Sequence, residues 1–84
     1  MTNIKLCGLS RMEDIRAANA LHPDYIGFVF APKSRRFVSA QTAKILKQSL
    51  SPNILAVGVF VDAPLQTVAA LLCAGVIDLA QLHG

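Results

Sequence analysis

Tryptophan is absent from this sequence of 84 residues, and charged residues make up only 15% of it. Although 54% of the residues are hydrophobic, no apolar run reaches the roughly 18 to 20 residues that a membrane-spanning helix needs. Residues 1–5 contain no apolar segment followed by a small-residue cleavage site, so no signal peptide is predicted. A composition this apolar also excludes a disordered chain. We therefore expect one cytoplasmic domain over residues 1–84.

Cysteine and histidine are scarce, and their spacing excludes several kinds of site. Cys7 and Cys73 lie in a sequence without secretory features, so free thiols are predicted rather than a disulfide. The scattered Cys and His residues follow no metal-ligand spacing, which predicts no metal site. The sequence also has no glycine-rich phosphate loop and no serine-based triad motif.

The net charge is only +3, and part of the basic character is local. The segment Lys33-Ser34-Arg35-Arg36 concentrates three basic residues in four positions. Such a cluster favours an anionic partner at one place, whereas a nucleic-acid-binding surface spreads basic residues over a whole face. Neither nucleic acid nor a membrane is therefore expected as a partner.

Four apolar segments alternate with three amphipathic ones. The predicted strands are 3–7, 25–30, 55–61 and 76–82. The predicted helices run from about 10 to 21, 40 to 50 and 63 to 74. Continuous apolar strands alternating with amphipathic helices predict an α/β fold with the order βαβαβαβ, a parallel sheet and right-handed crossovers.

Helix ends and buried faces can be predicted from individual residues. Ser10 and Glu13 are spaced as a capping box, Ser39 is a predicted N-cap, and either Asp62 or Ala63 is expected to cap the third helix before Pro64. Gly75 fits the position after that helix. The predicted buried residues are Met12, Ile15 and Ala18 to Leu21 in the first helix, Ala43, Leu46 and Leu50 in the second, and Leu65, Val68, Ala69 and Leu72 in the third.

Two architectures fit this order of elements, a doubly wound open sheet and half of a (βα)8 barrel. Alternation places Lys5 and Cys7 on one face of the first strand, and Leu79, Gln81 and His83 on one face of the fourth. Polar groups at the carboxyl ends of strands are typical of barrel enzymes. An open nucleotide-binding sheet would need more glycines after the first strand. The pattern favours the N-terminal half of a TIM barrel.

Cys7 is the first candidate for chemistry, because it ends the first strand just before a turn. A thiol there can act as a base or nucleophile when its pKa is lowered, and Lys5 is a nearby cation. The alternative is that Cys7 is a small buried hydrophobic residue.

The other candidates lie at the ends of later strands. The basic loop that includes Arg36 can bind carboxylate or phosphate, or can be an ordinary solvated loop. Gln81 and His83 end the fourth strand, where His83 can serve as acid, base or donor, or have a structural role. Asp62 is a rim carboxylate or, more simply, an N-cap. We interpret His22 as a surface residue and Cys73 as a core residue.

Four ordered blocks of the sequence resemble the phosphoribosylanthranilate isomerase family of tryptophan biosynthesis. The opening block is Ile4-Lys5-Leu6-Cys7-Gly8-Leu9-Ser10-Arg11. The later blocks are Gly27-Phe28-Val29-Phe30 with Lys33-Ser34-Arg35-Arg36, then Val57-Gly58-Val59-Phe60-Val61, then Gln81-Leu82-His83-Gly84. Arg35 departs from the proline common in the family, which should alter only loop stiffness.

This resemblance implies a (βα)8 barrel that converts N-(5′-phosphoribosyl)anthranilate, a phosphosugar, to an aminodeoxyribulose phosphate by an Amadori rearrangement without a cofactor. It implies that Cys7 is the general base at ribose C2′, that Arg36 binds the substrate at its anthranilate carboxylate, and that Gln81 and His83 line the pocket. The family's general-acid aspartate and phosphate site follow later strands and match no position here. The chain alone is therefore expected to be inactive.

An unclosed half barrel would leave two free sheet edges, which recruit other strands. We therefore expect self-association or pairing with the missing barrel half. The alternatives are another phosphosugar enzyme on the same barrel, a non-catalytic α/β assembly module, and a nucleic-acid binder using the basic loop. A neighbouring tryptophan-pathway enzyme is disfavoured by the block around Lys5, Cys7 and Gly8.

Overall fold

Seven elements alternate along the chain in the computed structural model, which describes the backbone of residues 4–83 and the side chains of residues 4–82. The strands are β1 (Lys5–Cys7), β2 (Tyr25–Val29), β3 (Leu55–Val61) and β4 (Leu79–His83). The helices are α1 (Met12–Leu21), α2 (Ala40–Ser49) and α3 (Leu65–Cys73). The predicted order βαβαβαβ is confirmed. Asn3, with which the first strand was expected to begin, lies outside the described residues.

The four strands form one parallel sheet in the order β1-β2-β3-β4. One face is buried: the side chains of Ile26, Phe28, Ala56 and Phe60 are at most 1% exposed. The opposite face is largely open, with Leu55, Val61 and Leu79 between 40% and 47% exposed, although Val57 at its centre is only 7% exposed. A doubly wound sheet has helices on both faces, so a sheet with one largely open face agrees with the half-barrel prediction.

Helix α2 follows its sequence pattern closely. Ser39 caps it by accepting a hydrogen bond from the Thr42 N–H at 3.2 Å. Ala43, Leu46 and Leu50 are all buried, as predicted. A side-chain cap and an i, i+3, i+7 apolar stripe are local features, which explains why the sequence alone predicts this helix.

Helix α1 begins one residue later than its predicted capping box. The Asp14 carboxylate, rather than Glu13, accepts hydrogen bonds from the N–H groups of Ser10 and Arg11, at 3.0 and 3.1 Å. The helix buries Ile15 and Ala18, whereas Ala20 and Leu21, which were also predicted to be buried, are exposed, Leu21 to 70%. Residues three apart, such as Ile15, Ala18 and Leu21, form a row that runs obliquely around the helix. Leu21 at the end of this row therefore lies outside the buried face.

Helix α3 also differs from its prediction at its start and on its buried face. Its N-cap position is Pro64, not Asp62 or Ala63. It buries Val68 and Leu71, whereas Leu65 is 73% exposed. The corresponding predicted face was Leu65, Val68, Ala69 and Leu72, so the true face is rotated around the helix axis.

That rotation explains the position of Cys73, which is exposed rather than in the core as predicted. Cys73 lies two residues after buried Leu71, and 200° of helical rotation places it on the opposite side.

Gly75 has φ 74° after this helix, as its predicted role requires. His22 is exposed, which confirms its assignment to the surface. Strand β4 begins at Leu79, later than predicted.

Two aspartates hold the amino ends of neighbouring strands in the same way. Asp24, just before β2, donates its N–H to the Ile4 carbonyl at 3.0 Å and accepts the Ile4 N–H on its carboxylate at 2.8 Å. Asp78, just before β4, makes the same pair of bonds with Ala56, both at 2.8 Å. The Asp78 carboxylate also lies 3.1 Å from the ammonium of Lys47. These bonds fix the strand register at the amino ends of the strands, which is the end of the sheet opposite the candidate site.

Within the part of the chain that the structure describes, every helix is too short or too polar to cross a membrane.

Candidate active site at the carboxyl ends of the strands

Cys7 lies at the carboxyl end of β1 on the open face of the sheet, and its thiol is free and exposed. It opposes Gly27 on β2. A Cβ at position 27 would lie 3.0 Å from the Cys7 sulfur and 3.5 Å from the Lys5 Cε. The missing side chain at Gly27 therefore leaves room for the thiol and for the aliphatic part of Lys5. The prediction that Cys7 and Lys5 share a face is confirmed.

Lys5 and Gln81 meet across the open face, although they belong to opposite edges of the sheet. The Lys5 Nζ donates to the Gln81 Oε1 at 2.7 Å. Three strand spacings would separate β1 from β4 by about 14 Å in a flat sheet. Contact between the two side chains requires the sheet to curve with this face on its concave side. The open face is therefore the inside of the half barrel, and Gln81 points into it.

Arg36 reaches the same end of β1 because the loop after β2 folds back. Val29 and Phe37 form a parallel bridge, and the Val38 N–H donates to the Val29 carbonyl at 3.0 Å. Since β1 ends at Cys7, the loop occupies the position beside β2 that a longer β1 would have taken. This path brings the Arg36 Nη1 to 3.4 Å from the Gly8 carbonyl, next to Cys7 in the chain.

Gly8 is required at this contact for two reasons. Its φ is 83°, a conformation that strains residues with a Cβ. A Cβ at this position would also clash with the Cδ of Arg36. The glycine after Cys7 thus lets the Arg36 side chain lie directly over the end of β1.

Asp14 adds a negative charge near this corner. The hydrogen bond from the Ser10 N–H is the largest cause that holds the pKa of the Asp14 carboxyl below its ordinary value of 3.8. Partial burial opposes this shift in pKa, while the Arg11 N–H and the charges of Arg11 and Arg36 support it. The Asp14 carboxylate stays ionised as part of the α1 cap and partly balances the charge of Arg36.

Phe37 is a further residue of the candidate site, and the sequence pattern did not indicate it. Directly opposed residues of a parallel pair project to the same face, so the bridge to Val29 places Phe37 on the concave side, where it is 43% exposed. The aromatic residue immediately after a basic cluster was the available signal, but its direction depends on how the loop folds.

The remaining candidates lie as follows. The His83 backbone opposes Val61 at the end of β3, and its side chain lies outside the described residues. Asp62 follows β3 with φ 51° and lines an open cleft of about 360 Å³ together with Ala31, Pro32, Lys33 and Val61. This cleft lies over the ends of β2 and β3 and is not lined by Cys7 or Arg36. Lys33 therefore lines this cleft, whereas Arg36 contacts the end of β1, although the two residues belong to one basic cluster.

The described residues contain no group of three side chains suited to hold a metal ion. The concave face carries a free thiol, an ammonium and an amide, and a guanidinium lies at the carboxyl end of β1. A thiolate can accept a proton from carbon, and a guanidinium can bind a carboxylate. The arrangement suits proton abstraction from an anionic substrate.

Comparisons with known proteins agree with this geometry. The sequence model of the family described as N-(5′phosphoribosyl)anthranilate (PRA) isomerase matches residues 4–84. The N-(5′-phosphoribosyl)anthranilate isomerase of Lacticaseibacillus casei (strain BL23) is 50% identical over the whole chain, which covers 42% of that relative. The chain thus spans about two fifths of the length of the curated relatives it matches.

Solved structures share the fold. The crystal structure of phosphoribosyl anthranilate isomerase from Thermus thermophilus superposes with a TM-score of 0.89 at 40% identity, over 99% of this chain and 42% of that one. A phosphoribosyl anthranilate isomerase in complex with reduced 1-(o-carboxyphenylamino)-1-deoxyribulose 5-phosphate gives a TM-score of 0.88 at 34% identity, over 100% of this chain and 43% of that one.

Proposed function

We propose that this chain, which belongs to the N-(5′phosphoribosyl)anthranilate (PRA) isomerase family, supplies the general base and part of the substrate pocket for the isomerisation of N-(5′-phosphoribosyl)anthranilate. The observation that supports the proposal is the contact of the Arg36 guanidinium with the carbonyl of Gly8, the residue that follows Cys7 in the chain. A base and a carboxylate-binding group at one corner suit a substrate that carries an anthranilate carboxylate next to the reacting sugar carbon. A cytoplasmic location is part of the same proposal.

In the proposed reaction, Cys7 acts after the ribose ring has opened to an iminium ion. The Cys7 thiolate takes the proton from C2′. The electrons of the C2′–H bond form a C1′=C2′ double bond, and the electrons of the C1′=N bond move to nitrogen. The resulting enol then loses the proton of its 2′-hydroxyl group while C1′ gains a proton, which gives the ketone of 1-(2-carboxyphenylamino)-1-deoxyribulose 5-phosphate. No external oxidant or reductant is needed, because the sugar is oxidised at C2′ and reduced at C1′.

The other residues bind and orient the substrate in this proposal. Arg36 pairs with the anthranilate carboxylate, and the Phe37 ring provides an aromatic surface beside it for the anthranilate ring. Gln81, held by Lys5, lines the sugar side of the pocket, and His83 completes it at the end of β4. The general acid that opens the ring and the phosphate site would come from strands beyond those described here.

The test is a chimera in which this chain is followed by the part of the L. casei relative that lies beyond the matched region. The chimera is expected to turn over N-(5′-phosphoribosyl)anthranilate, and Cys7→Ser should lower kcat by about 10²- to 10⁴-fold, the usual contribution of a general base. The matched control is Cys73→Ser, which removes the other exposed thiol and should leave kcat unchanged. A Cys7→Ser chimera with unaltered turnover would remove Cys7 from the mechanism.

A non-catalytic assembly role is the second candidate, favoured by the exposed apolar side chains on the concave face. It predicts a folded chimera with the circular dichroism of a barrel but no turnover.

A further inference from the structure

The Arg36 side chain is held only weakly by its own contact with the end of β1. Its Nη1 lies 3.4 Å from the Gly8 carbonyl oxygen. This distance exceeds the usual range of about 2.7 to 3.2 Å for an N–H···O hydrogen bond. Arg36 is also exposed, as is its neighbour Arg35. The position of the guanidinium therefore depends on how the loop backbone beneath it is held.

Two consecutive turns shape this loop, and Ser34 belongs to both. The Ser34 N–H donates to the Ala31 carbonyl at 2.9 Å, which closes the first turn. The Phe37 N–H donates to the Ser34 carbonyl at 3.2 Å, which closes the second turn, with Arg36 as its third residue. Ser34 is partly buried, whereas the other residues of segment 32–37 are exposed. The second turn therefore starts from a residue that is fixed on both sides.

The Ser34 hydroxyl makes the bond that acts on Arg36 directly. Its Oγ accepts the Arg36 N–H at 3.1 Å. Serine is favoured at the first position of a β-turn because its oxygen can accept the N–H two residues later. The second position, where proline would fix φ in advance, is occupied by Arg35. The order of this turn therefore depends more strongly on the hydroxyl of Ser34.

We propose that Ser34 is a positioning residue for substrate binding. Its hydroxyl holds the Arg36 backbone so that the guanidinium stays at the carboxyl end of β1, and its carbonyl holds Phe37 on the concave side. The inference rests on the proposed function, in which Arg36 binds the anthranilate carboxylate. Ser34 itself contacts neither Cys7 nor the reacting carbon in this proposal, so its removal should weaken binding and leave proton transfer intact.

Steady-state kinetics of the chimera test this role. Ser34→Ala should raise KM about three- to tenfold, the usual effect of one hydrogen bond, and should leave kcat within about twofold. Ser34→Thr keeps a hydroxyl and should restore KM to within about twofold of the unmodified chimera. An unchanged KM in Ser34→Ala, or a kcat that falls as much as KM rises, would overturn the inference.

Ser39→Ala is the matched control. The Ser39 Oγ accepts the Thr42 N–H at 3.2 Å, which is a bond of the same kind in the cap of α2. This variant should lower the stability of the chimera but leave KM unchanged, because the bond does not hold Arg36. A rise in KM as large as that of Ser34→Ala would show that lost stability alone explains both variants, and the inference would be wrong.

Arg36→Ala separates the inference from the proposed function. It should raise KM at least about tenfold, and Ser34→Ala should then add little, since both changes act through one guanidinium. If Arg36→Ala leaves KM unchanged, the proposed function fails and this inference fails with it. If Ser34→Ala raises KM by its full factor even in the Arg36→Ala background, the proposed function stands and the role of Ser34 is refuted.

Amide hydrogen exchange gives a second readout that needs no turnover. The Arg36 N–H of the chimera should exchange about three- to tenfold faster in Ser34→Ala than in Ser39→Ala. Equal exchange rates in the two variants would mean that the hydroxyl does not hold this backbone.

Discussion

At the scale of single residues, the candidate site depends on two glycines as much as on its reactive groups. Gly27 leaves space for the Cys7 thiol, and Gly8 leaves space for Arg36. Cys7 and Arg36 could be selected from the sequence because of their chemistry. The need for the glycines was not predictable, because it arises from the side chains that approach them from other segments.

Gly8→Ala should therefore affect substrate binding as well as stability, whereas a glycine substitution that contacts no neighbour should affect stability alone. Gly75→Ala is the matched control, since Gly75 also has positive φ (74°) but has nothing within 4 Å of an added Cβ. Each substitution should lower the free energy of unfolding by about 1–3 kcal/mol because of backbone strain. Only Gly8→Ala should also displace Arg36 and raise KM in the chimera. Urea unfolding and steady-state kinetics measure the two effects, and equal KM values for both variants would contradict this role of Gly8.

At the scale of the elements, α2 follows its local pattern, whereas α1 and α3 show its limits. The capping pattern predicted that Glu13 would hold the start of α1, but Asp14 does so. Glu13 and Asp14 are both acidic residues near the start of the helix. Which carboxylate accepts the backbone N–H groups depends on the exact path of the chain that enters the helix. The direction of the α3 face depends on where α3 lies against β4 and the rest of the sheet, which no local pattern contains.

Removing the α1 cap should have a pH-dependent effect on stability. The pKa of Asp14 is lower in the folded state than its ordinary value of 3.8, so its carboxylate contributes fully above about pH 4. That contribution is lost as the pH falls through the folded pKa. Asp14→Ala should lower the free energy of unfolding by about 1 kcal/mol at pH 7. The difference from the unmodified chain should shrink toward zero as the pH falls below 4.

Urea unfolding from pH 7 to pH 3 checks this expectation. The control is Glu13→Ala, which removes a neighbouring carboxylate whose contact with Arg11 is exposed and 3.6 Å long. This control should cost close to zero at every pH, since exposed ion pairs contribute little. A constant difference between Asp14→Ala and the unmodified chain across the pH range would argue against the cap.

The Asp78 contact with β3 should matter more than its ion pair. Asp78→Ala leaves the Ala56 N–H without its side-chain acceptor and should cost about 1–3 kcal/mol of unfolding free energy. Lys47→Ala removes only the ion pair and should cost about 0–1 kcal/mol. Chemical denaturation of the two variants compares these costs directly. A larger loss for Lys47→Ala would show that the charge pair, not the backbone bond, holds this end of the sheet.

At the scale of the whole molecule, the described residues place the candidate site at one corner of an exposed concave face. The proposed base, the carboxylate-binding group and the aromatic surface all lie at one corner, near β1. The chain covers about two fifths of the length of its relatives. The proposed reaction also needs a general acid and a phosphate site, and we propose that further strands supply both.

The chain by itself is therefore expected to show no turnover of N-(5′-phosphoribosyl)anthranilate. A steady-state assay at high protein concentration checks this, with the chimera as the positive control. Activity within tenfold of the chimera would mean that these 84 residues contain a complete site.

The sequence by itself determined the βαβαβαβ order, the parallel sheet and the identity of the chemically useful side chains, because apolar periodicity, caps and residue chemistry are local properties. The tertiary structure alone decided which of those side chains meet. Lys5 and Gln81 are 76 positions apart, and Arg36 is 28 positions from Gly8. Their contacts depend on the curvature of the sheet and on the path of the loop after β2, and both are set by packing between distant segments.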